Sequence, residues 1–131
     1  MKTIRTRFAP SPTGHLHLGG AKTALFNYLF AKSNNGEFIV RSEDTDLERS
    51  KPEYLTSILN DLKLLGINHD NKTIELCSNR LNIYSEMVDK LINSGIAYKE
   101  DGCVKFKVLP DIDLSFTDLI RGKVEFNSND L

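Results

Sequence analysis

The chain has 131 residues, 40% of them hydrophobic and 27% charged, which is typical of one soluble globular domain with a real core. The formal net charge of −1 shows no overall basic field that would indicate a nucleic-acid partner, although a local basic patch can suffice. No apolar run is long enough for a membrane span, and the amino-terminal residues lack the apolar core of a signal peptide. We therefore expect a cytoplasmic protein without a membrane partner.

The two cysteines, Cys77 and Cys103, stand far apart and in no metal-binding spacing. The histidines of the stretch HLH, residues 15–17, also lack further ligands at useful spacing. We therefore expect reduced cysteines and no structural zinc.

The amino-terminal part of the chain alternates strand and helix patterns. Residues 3–9 predict a short strand that ends at Pro10 and Pro12. Apolar residues then recur at helical spacing from Ala21 to about Ser33, and the SNNG that follows is typical of a helix C-cap. Residues 37–44, EFIVRSED, predict a second strand. This order predicts a right-handed crossover between parallel strands.

The remaining patterns continue the alternation. A second helix is predicted from a leucine-rich stripe, with Ser50 as candidate N-cap and Gly66 at its end. Further on, the patterns predict a short strand at 73–78, a helix at 80–95, a turn at 99–102, and strands at 103–108 and 122–126. The fold class expected from this alternation is α/β, with an open parallel sheet and flanking helices.

The segment from Ala9 to Gly20 lies after the first predicted strand, where open α/β sheets bind ligands. Its glycines let backbone approach a bulky ligand, its prolines stiffen it, and the following helix directs free N–H groups at it. Polar groups that can bond phosphate oxygens come from Ser11, Thr13, His15 and His17. These features predict a triphosphate site. A strand-to-helix turn with incidental histidines stays open, because neither common phosphate-loop signature is present.

Two stretches of the sequence resemble a known family. Residues 7–31, RFAPSPTGHLHLGGAKTALFNYLFA, and residues 41–50, RSEDTDLERS, are similar to the catalytic domain of bacterial-type glutamyl-tRNA synthetases, which are class I aminoacyl-tRNA synthetases. Residues 17–20, HLGG, resemble that family's form of the class I HIGH signature. A weaker resemblance continues over nearly the whole chain.

The resemblance implies a Rossmann-like domain, of which residues 1–131 form the amino-terminal part. The second half and the anticodon-binding domain would be absent. It also implies that glutamate reacts with ATP, accompanied by Mg²⁺, to give glutamyl-adenylate and pyrophosphate. The complete enzyme would then transfer glutamate to tRNA(Glu). Positioning and charge stabilisation would supply most of the catalysis.

The resemblance assigns roles to individual residues. The catalytic set would be His17, Gly19, Gly20 and Thr13. The ATP-binding set would be Pro10, Ser11, Pro12, Thr13, Gly14, His15, His17, Gly19 and Gly20. For glutamate, Arg7 would hold the side-chain carboxylate, Glu43 the α-ammonium group, and Ala9 and Ser11 would complete the pocket. A salt bridge between Arg7 and Glu43, or solvated charges, is the alternative. Asp44, Asp46 and Arg49 would face the tRNA acceptor end, with Arg49 on a phosphate.

Several features depart from the family pattern. The second class I signature, a loop of the Lys-Ser-Lys type, is absent, and a tight turn replaces the family's insertion between Tyr98 and Cys103. Ser42 stands where an apolar residue is usual, so a buried Ser42 would need a hydrogen bond. We therefore expect a fragment that is incomplete for catalysis.

Three other functions stay open. The first is a glutamyl-queuosine-type synthetase that modifies a tRNA base, although EDTDLERS favours a glutamate–tRNA ligase. The second is a non-discriminating enzyme that also charges glutamine tRNA. The third is a nucleotide-binding fragment without activity.

Overall fold

The computed structural model describes residues 4–131, so Thr3, in the predicted first strand, lies outside the described residues. The chain forms two compact units, Met1–Asn82 and Ile83–Leu131. The elements up to Arg80 are β1 (Arg5–Phe8), α1 (Leu18–Ser33), β2 (Glu37–Ser42), α2 (Pro52–Leu64), β3 (Glu75–Leu76) and a 3₁₀ turn (Cys77–Arg80). The later elements are α3 (Leu81–Asn93), β4 (Ala97–Glu100), β5 (Cys103–Phe106), β6 (Asp113–Asp118), β7 (Gly122–Asn127) and a 3₁₀ turn (Ser128–Asp130).

The first unit contains the predicted parallel sheet. Strands β1 and β2 pair in parallel with Arg7 opposite Ile39, and β2 pairs in parallel with β3 with Ser42 opposite Leu76. The order β1-β2-β3 places β2 at the centre and brings the carboxyl ends of β1 and β2 to the same edge. The predicted α/β fold, with helices flanking a parallel sheet, is confirmed for this unit.

The core of the first unit lies between the sheet and two helices. Because successive strand residues point to opposite faces, Phe38, Val40 and Ser42 of β2 are buried while Ile39 and Arg41 are only partly covered. Around them pack the buried side chains of Phe8, Ala24, Ala31, Ile58, Leu62 and Ile67. This packing fixes the edge of the sheet at which the loop after β1 begins.

Two predicted helix starts are wrong. Helix α1 begins at Leu18, not Ala21, because His17 already has extended backbone and acts as its N-cap. The N-cap of α2 is Lys51, not Ser50, because Pro52 occupies the first helical position, which its fixed φ favours. The predicted C-cap in SNNG is confirmed by the left-handed Asn35, with φ of 52°, and the predicted end of α2 at Gly66 also has positive φ, 76°.

The second unit differs from the predicted parallel arrangement. Strands β4 and β5 form an antiparallel hairpin, and so do β6 and β7. The turn predicted at 99–102 is confirmed at Asp101 and Gly102, whose φ values of 50° and 77° suit a two-residue hairpin turn, whereas Lys99 and Glu100 belong to β4. A connection this short can join only antiparallel strands, which is why the parallel expectation fails here. Strands β4 and β6 were not predicted.

Candidate active site

The loop between β1 and α1, residues 9–17, is held at the carboxyl edge of the sheet by backbone hydrogen bonds. The amide of Glu43, directly after β2, donates to the carbonyl of Pro10 at 2.9 Å. The amide of Lys51, at the start of α2, donates to the carbonyl of Pro12, also at 2.9 Å. The ends of β1 and β2 and the start of α2 therefore fix the loop together.

A cleft of about 360 Å³ lies beside this loop. Its wall contains most of the predicted ATP-binding residues, namely Pro10, Ser11, Thr13, Gly14, His15, His17 and Gly20. Pro12 and Gly19 do not line it, whereas the apolar residues Phe8, Leu16 and Ile58 do and were not predicted as site residues. The volume lies within the range of about 300–1,000 Å³ that small-molecule sites occupy.

His17 joins this loop to the first turn of α1. Its Nδ1 accepts a long hydrogen bond, 3.4 Å, from the amide of Gly20. A methyl group at Gly19 would lie 3.0 Å from Cε1 of His17, and one at Gly20 would lie 3.0 Å from Cδ1 of Leu16. The two glycines therefore make room for the His17 ring and for Leu16 at the helix start, a requirement that the sequence interpretation missed.

His15 is turned toward α2. Its Nδ1 lies 3.0 Å from Oγ of Ser57, and its ring meets the ring of Tyr54 edge-on, with centroids 5.3 Å apart. The imidazole thus lines the cleft while α2 supports it from behind. Nothing in the sequence around Tyr54 or Ser57 indicated this support.

The two charges predicted to bind glutamate have different surroundings. Within residues 4–131, Arg7 is exposed and its guanidinium has no hydrogen bond or ion pair, whereas Arg5 on the same face of β1 is paired with Glu37 at 2.6 Å. Oε1 of Glu43 lies 3.1 Å from Nη2 of Arg41, so the alternative of an Arg7–Glu43 salt bridge is not observed. Of the other two predicted residues, Ser11 lines the cleft and Ala9 is half-buried.

The three residues predicted to face tRNA are engaged within the chain. The Asp44 carboxylate accepts hydrogen bonds from the amide and hydroxyl of Ser78, at 3.0 and 2.5 Å. Burial alone would raise the pKa of Asp44, but the hydrogen bonds from Ser78 bring it below its usual value of 3.8.

Asp46 forms an ion pair with Arg49, whose Nε donates at 2.6 Å. The side-chain hydrogen bond from Arg49 is the main reason that the pKa of Asp46 is lowered. The sequence predicted neither this pair nor the contact with Ser78.

Searches for other kinds of site give two further observations. Among residues 4–131, no group of three or more His, Cys, Asp or Glu side chains is arranged to hold a metal ion. None of the helices in the same range combines the length and the apolar composition that crossing a membrane requires.

Comparisons with known proteins agree with the geometry. A family model described as class I tRNA synthetases (E and Q), catalytic domain, matches residues 3–105. Glutamate–tRNA ligase 1 of Petrotoga mobilis is 44% identical over 98% of this chain and 34% of the relative. The glutamate–tRNA ligase of Aquifex aeolicus is 57% identical over 75% of this chain and 20% of the relative. A crystal structure of a glutamate tRNA ligase from Elizabethkingia meningosepticum in complex with its amino acid has a TM-score of 0.87 at 29% identity, covering 99% of this chain and 37% of that one.

The chain spans about a third of the length of the Petrotoga relative. That alignment runs over 159 positions, more than the 131 residues of this chain, so the relative contains segments that this chain lacks. The finding agrees with a missing insertion, whose place after Tyr98 stays a prediction. Because the family model covers most of the chain and the fold matches, the chain belongs to the class I tRNA synthetases (E and Q), within their catalytic domain.

Proposed function

We propose that this chain is the amino-terminal part of the catalytic domain of a glutamate–tRNA ligase, which binds ATP in the cleft beside residues 9–20 and glutamate beside Arg7. One observation carries the proposal. In a member of the class I family, the loop after β1 lines a single cleft with its hydroxyls, imidazoles and helix N-terminus. These groups suit an anionic nucleotide.

The hydroxyls of Ser11 and Thr13 and the N–H groups of the first turn of α1 would bind the phosphate oxygens of ATP. His17, which caps that turn, would donate to the phosphate at which charge develops. Mg²⁺ arrives bound to the nucleotide and would neutralise charge on its phosphates. The hydroxyl and N–H groups of the cleft are hydrogen-bond donors, which suit phosphate oxygens better than a separate metal cluster.

For glutamate, the unpaired guanidinium of Arg7 supports the proposal. It has no partner within residues 4–131 and can hold a carboxylate through two parallel hydrogen bonds. Glu43 would hold the α-ammonium group, and its ion pair with Arg41 would have to open or be shared. The amino acid bound in the Elizabethkingia structure supports the same class of ligand.

In the proposed reaction, an oxygen of the glutamate α-carboxylate attacks the α-phosphorus of ATP, and the bond to the β-phosphate oxygen breaks to release pyrophosphate. The protein would contribute by orienting ATP in the cleft and glutamate beside Arg7, which does not itself line the cleft. Transfer to tRNA(Glu), the contacts of Asp44, Asp46 and Arg49 with it, and the cytoplasmic location stay predictions.

Glutamate-dependent ATP–pyrophosphate exchange tests the proposal. It is measured on this chain and on a version extended with the remaining part of a relative. We expect exchange in the extended version and little in the chain alone. Arg7→Ala should raise the glutamate concentration needed by about 30-fold, because a charged hydrogen bond is worth about 2 kcal/mol, and should leave the ATP requirement nearly unchanged.

Arg5→Ala is the matched control, since Arg5 lies on the same face of β1 but is already paired with Glu37. Equal shifts for ATP and glutamate in Arg7→Ala, or equal effects of the two arginine variants, would contradict the assignment. No exchange in the extended version, combined with ATP binding by the chain, would favour a nucleotide-binding module without activity.

A second pair of variants separates catalysis by His17 from its capping of α1. His17→Ala should lower both the exchange rate and the stability, because an N-cap is worth about 1 kcal/mol. His17→Asn should restore stability, because Asn caps well, without restoring the rate. Full recovery of the rate in His17→Asn would mean that the imidazole acts only as a cap.

A further inference from the structure

The two histidines that line the cleft, His15 and His17, each use Nδ1 within the chain. In His17, Nδ1 accepts from the main-chain amide of Gly20 at 3.4 Å, and an amide N–H can only donate. Nδ1 of His17 is therefore unprotonated, and the proton of its neutral ring lies on Nε2. Among residues 4–131, no group forms a hydrogen bond with Nε2 of either histidine.

The tautomer of His15 depends on Ser57, whose Oγ lies 3.0 Å from Nδ1. A hydroxyl can donate or accept, so the direction of this hydrogen bond depends on the other partners of Ser57. Oγ of Ser57 has no other hydrogen bond in the described part of the chain, unlike Thr56, whose hydroxyl donates to the carbonyl of Pro52. The Ser57 hydroxyl is thus available to donate to Nδ1, which leaves the ring proton of His15 on Nε2.

Tyr54 fixes the plane of the same imidazole. The two rings meet edge-on, with an interplanar angle of 80° and centroids 5.3 Å apart, an arrangement that aromatic pairs favour. Tyr54 and Ser57 lie three residues apart in α2 and therefore share one face of that helix. These two contacts hold the ring of His15, and Nε2 is the ring nitrogen that remains for a ligand.

His69 shows that the opposite tautomer also occurs in the first unit. Its Nδ1 lies 3.0 Å from the carbonyl oxygen of Asn71, which can only accept. Nδ1 of His69 must therefore carry a proton. The chain has three histidines, so His69 provides an internal reference for the tautomer that the cleft does not use.

We propose that Ser57 and Tyr54 are positioning residues, which hold His15 as a neutral Nε2–H donor in the wall of the ATP cleft. His15 and His17 then provide the same kind of donor, one held by α2 and the other by α1. Two such N–H groups on one cleft suit the oxygens of a phosphate chain. The part of this inference that concerns ATP rests on the function proposed above, whereas the tautomer of His15 is independent of it.

The test without ligand is a two-bond ¹H–¹⁵N correlation spectrum of the imidazole rings, in which the two tautomers give different patterns. It is recorded on the 131-residue chain at about pH 8.5, above the usual pKa of histidine. We expect the Nε2–H pattern for His15 and His17 and the Nδ1–H pattern for His69. Ser57→Ala should give His15 a mixture of tautomers and leave the other two unchanged. A mixture or the Nδ1–H form at His15 in the wild type, or an unchanged His15 in Ser57→Ala, would overturn the proposal.

Titration with ATP and Mg²⁺ tests whether the position of His15 matters for the ligand. Ser57→Ala should weaken ATP binding about 5-fold, the contribution of one neutral hydrogen bond. Tyr54→Leu should weaken it about 3-fold, the contribution of an edge-on ring contact. Ser57→Thr and Tyr54→Phe should bind ATP like the wild type, because each keeps the contacting group. Thr56→Ala is the control on the same helix, since its hydroxyl bonds within the helix.

The outcomes separate this inference from the proposed function. ATP that shifts other residues of the cleft but not His15, or that binds Ser57→Ala as tightly as the wild type, would overturn the positioning role and leave the ATP site standing. ATP that binds nowhere in the cleft would contradict the proposed function and, with it, the role of His15 toward ATP. If Tyr54→Leu does not fold, Ser57→Ala and Ser57→Thr decide.

Discussion

The two units of the chain differ in how much of their apolar surface is buried. In the first, one face each of β2, α1 and α2 contributes to a buried core, with Phe38 and Ala24 at 0% exposure, although outer side chains such as Phe26 are half exposed. In residues 83–131, all of which the structure describes, the buried residues are Ala97 and Ser128. Large apolar side chains of the hairpins, such as Phe106 and Phe116, are more than half exposed there.

The difference separates two sources of stability. Buried apolar area stabilises the first unit, whereas the second relies mainly on hairpin hydrogen bonds, and two-stranded hairpins are marginally stable at best in water. All of the predicted site residues lie in the first unit. The candidate site therefore sits on the part of the chain with the densest packing, where a loop can be held in place.

The largest expected effect tests this contrast in burial directly. Phe38→Ala should lower the free energy of unfolding by about 3–5 kcal/mol, because it removes a fully buried ring that packs edge-on against Tyr28. Urea unfolding followed by far-UV circular dichroism measures it, as the chain has no tryptophan. Phe106→Ala, at a site 66% exposed, should cost less than ~1 kcal/mol. Equal costs would contradict the contrast.

The second effect concerns the Asp44 carboxylate of the first unit. Asp44→Ala should lower the free energy of unfolding by about 2 kcal/mol at neutral pH, because it removes the acceptor of two hydrogen bonds from Ser78. Its pKa is lowered in the folded state, so this stabilisation is present above 3.8 and is lost as pH falls through the lower folded value. Acid unfolding curves should show that loss in the wild type and not in the variant.

Asp118→Ala is the comparison in the second unit. The pKa of Asp118 is also lowered, chiefly by backbone hydrogen bonds from Arg121 and Ile120, but this carboxylate lies at the surface. A smaller change in acid unfolding is expected there. A change as large as that of Asp44→Ala would remove the distinction between the two units.

The third effect concerns two buried serines, whose replacement by alanine should change the free energy of unfolding in opposite directions. Ser42→Ala should raise the free energy of unfolding by about 1 kcal/mol, because it removes a buried hydroxyl without a partner. Ser128→Ala should lower it by a similar amount, because Oγ of Ser128 accepts a hydrogen bond from the Ile112 amide at 2.9 Å. Thermal unfolding of both variants checks the signs, and matching signs would contradict the explanation.

The smallest effect concerns a surface ion pair of the first hairpin. Glu100 and Lys105 form an ion pair at 2.6 Å, with their side chains about half exposed. Glu100→Gln should change the free energy of unfolding by less than ~0.5 kcal/mol and by nothing measurable in high salt. A loss above ~1 kcal/mol would show that the second unit depends on its charges more than its exposure indicates.

The sequence predicted the first unit better than the second for a physical reason. In α2, apolar residues such as Ile58 and Leu62 recur at helical spacing because their side chains are buried. The apolar centre of β2 is likewise buried, and it allowed that strand to be predicted. Strands β4 and β6 contain exposed side chains such as Tyr98 and Phe116. Because their side chains do not alternate between a buried and an exposed face, their sequences lack the pattern from which a strand is predicted. The turn at Asp101 and Gly102 was nevertheless predicted, because turn chemistry is local.

Part of the candidate site could be predicted in the same way. The loop residues that line the cleft were identified from their types and from their place after β1. The support of His15 by Ser57, and of Asp44 by Ser78, joins residues more than thirty positions apart. Such contacts depend on how the helices pack, which no local pattern encodes. Whether Arg7 and Glu43 bind glutamate stays a prediction.

The attachment of the loop to Glu43 and Lys51 has a consequence for how this surface can evolve. Both anchors join a main-chain amide, which every amino acid other than proline supplies, to the carbonyl of Pro10 or Pro12. The anchoring itself therefore does not depend on the side chains at positions 43 and 51, whatever other roles those side chains have. Only a mutation to proline at one of those two positions deletes an anchor outright.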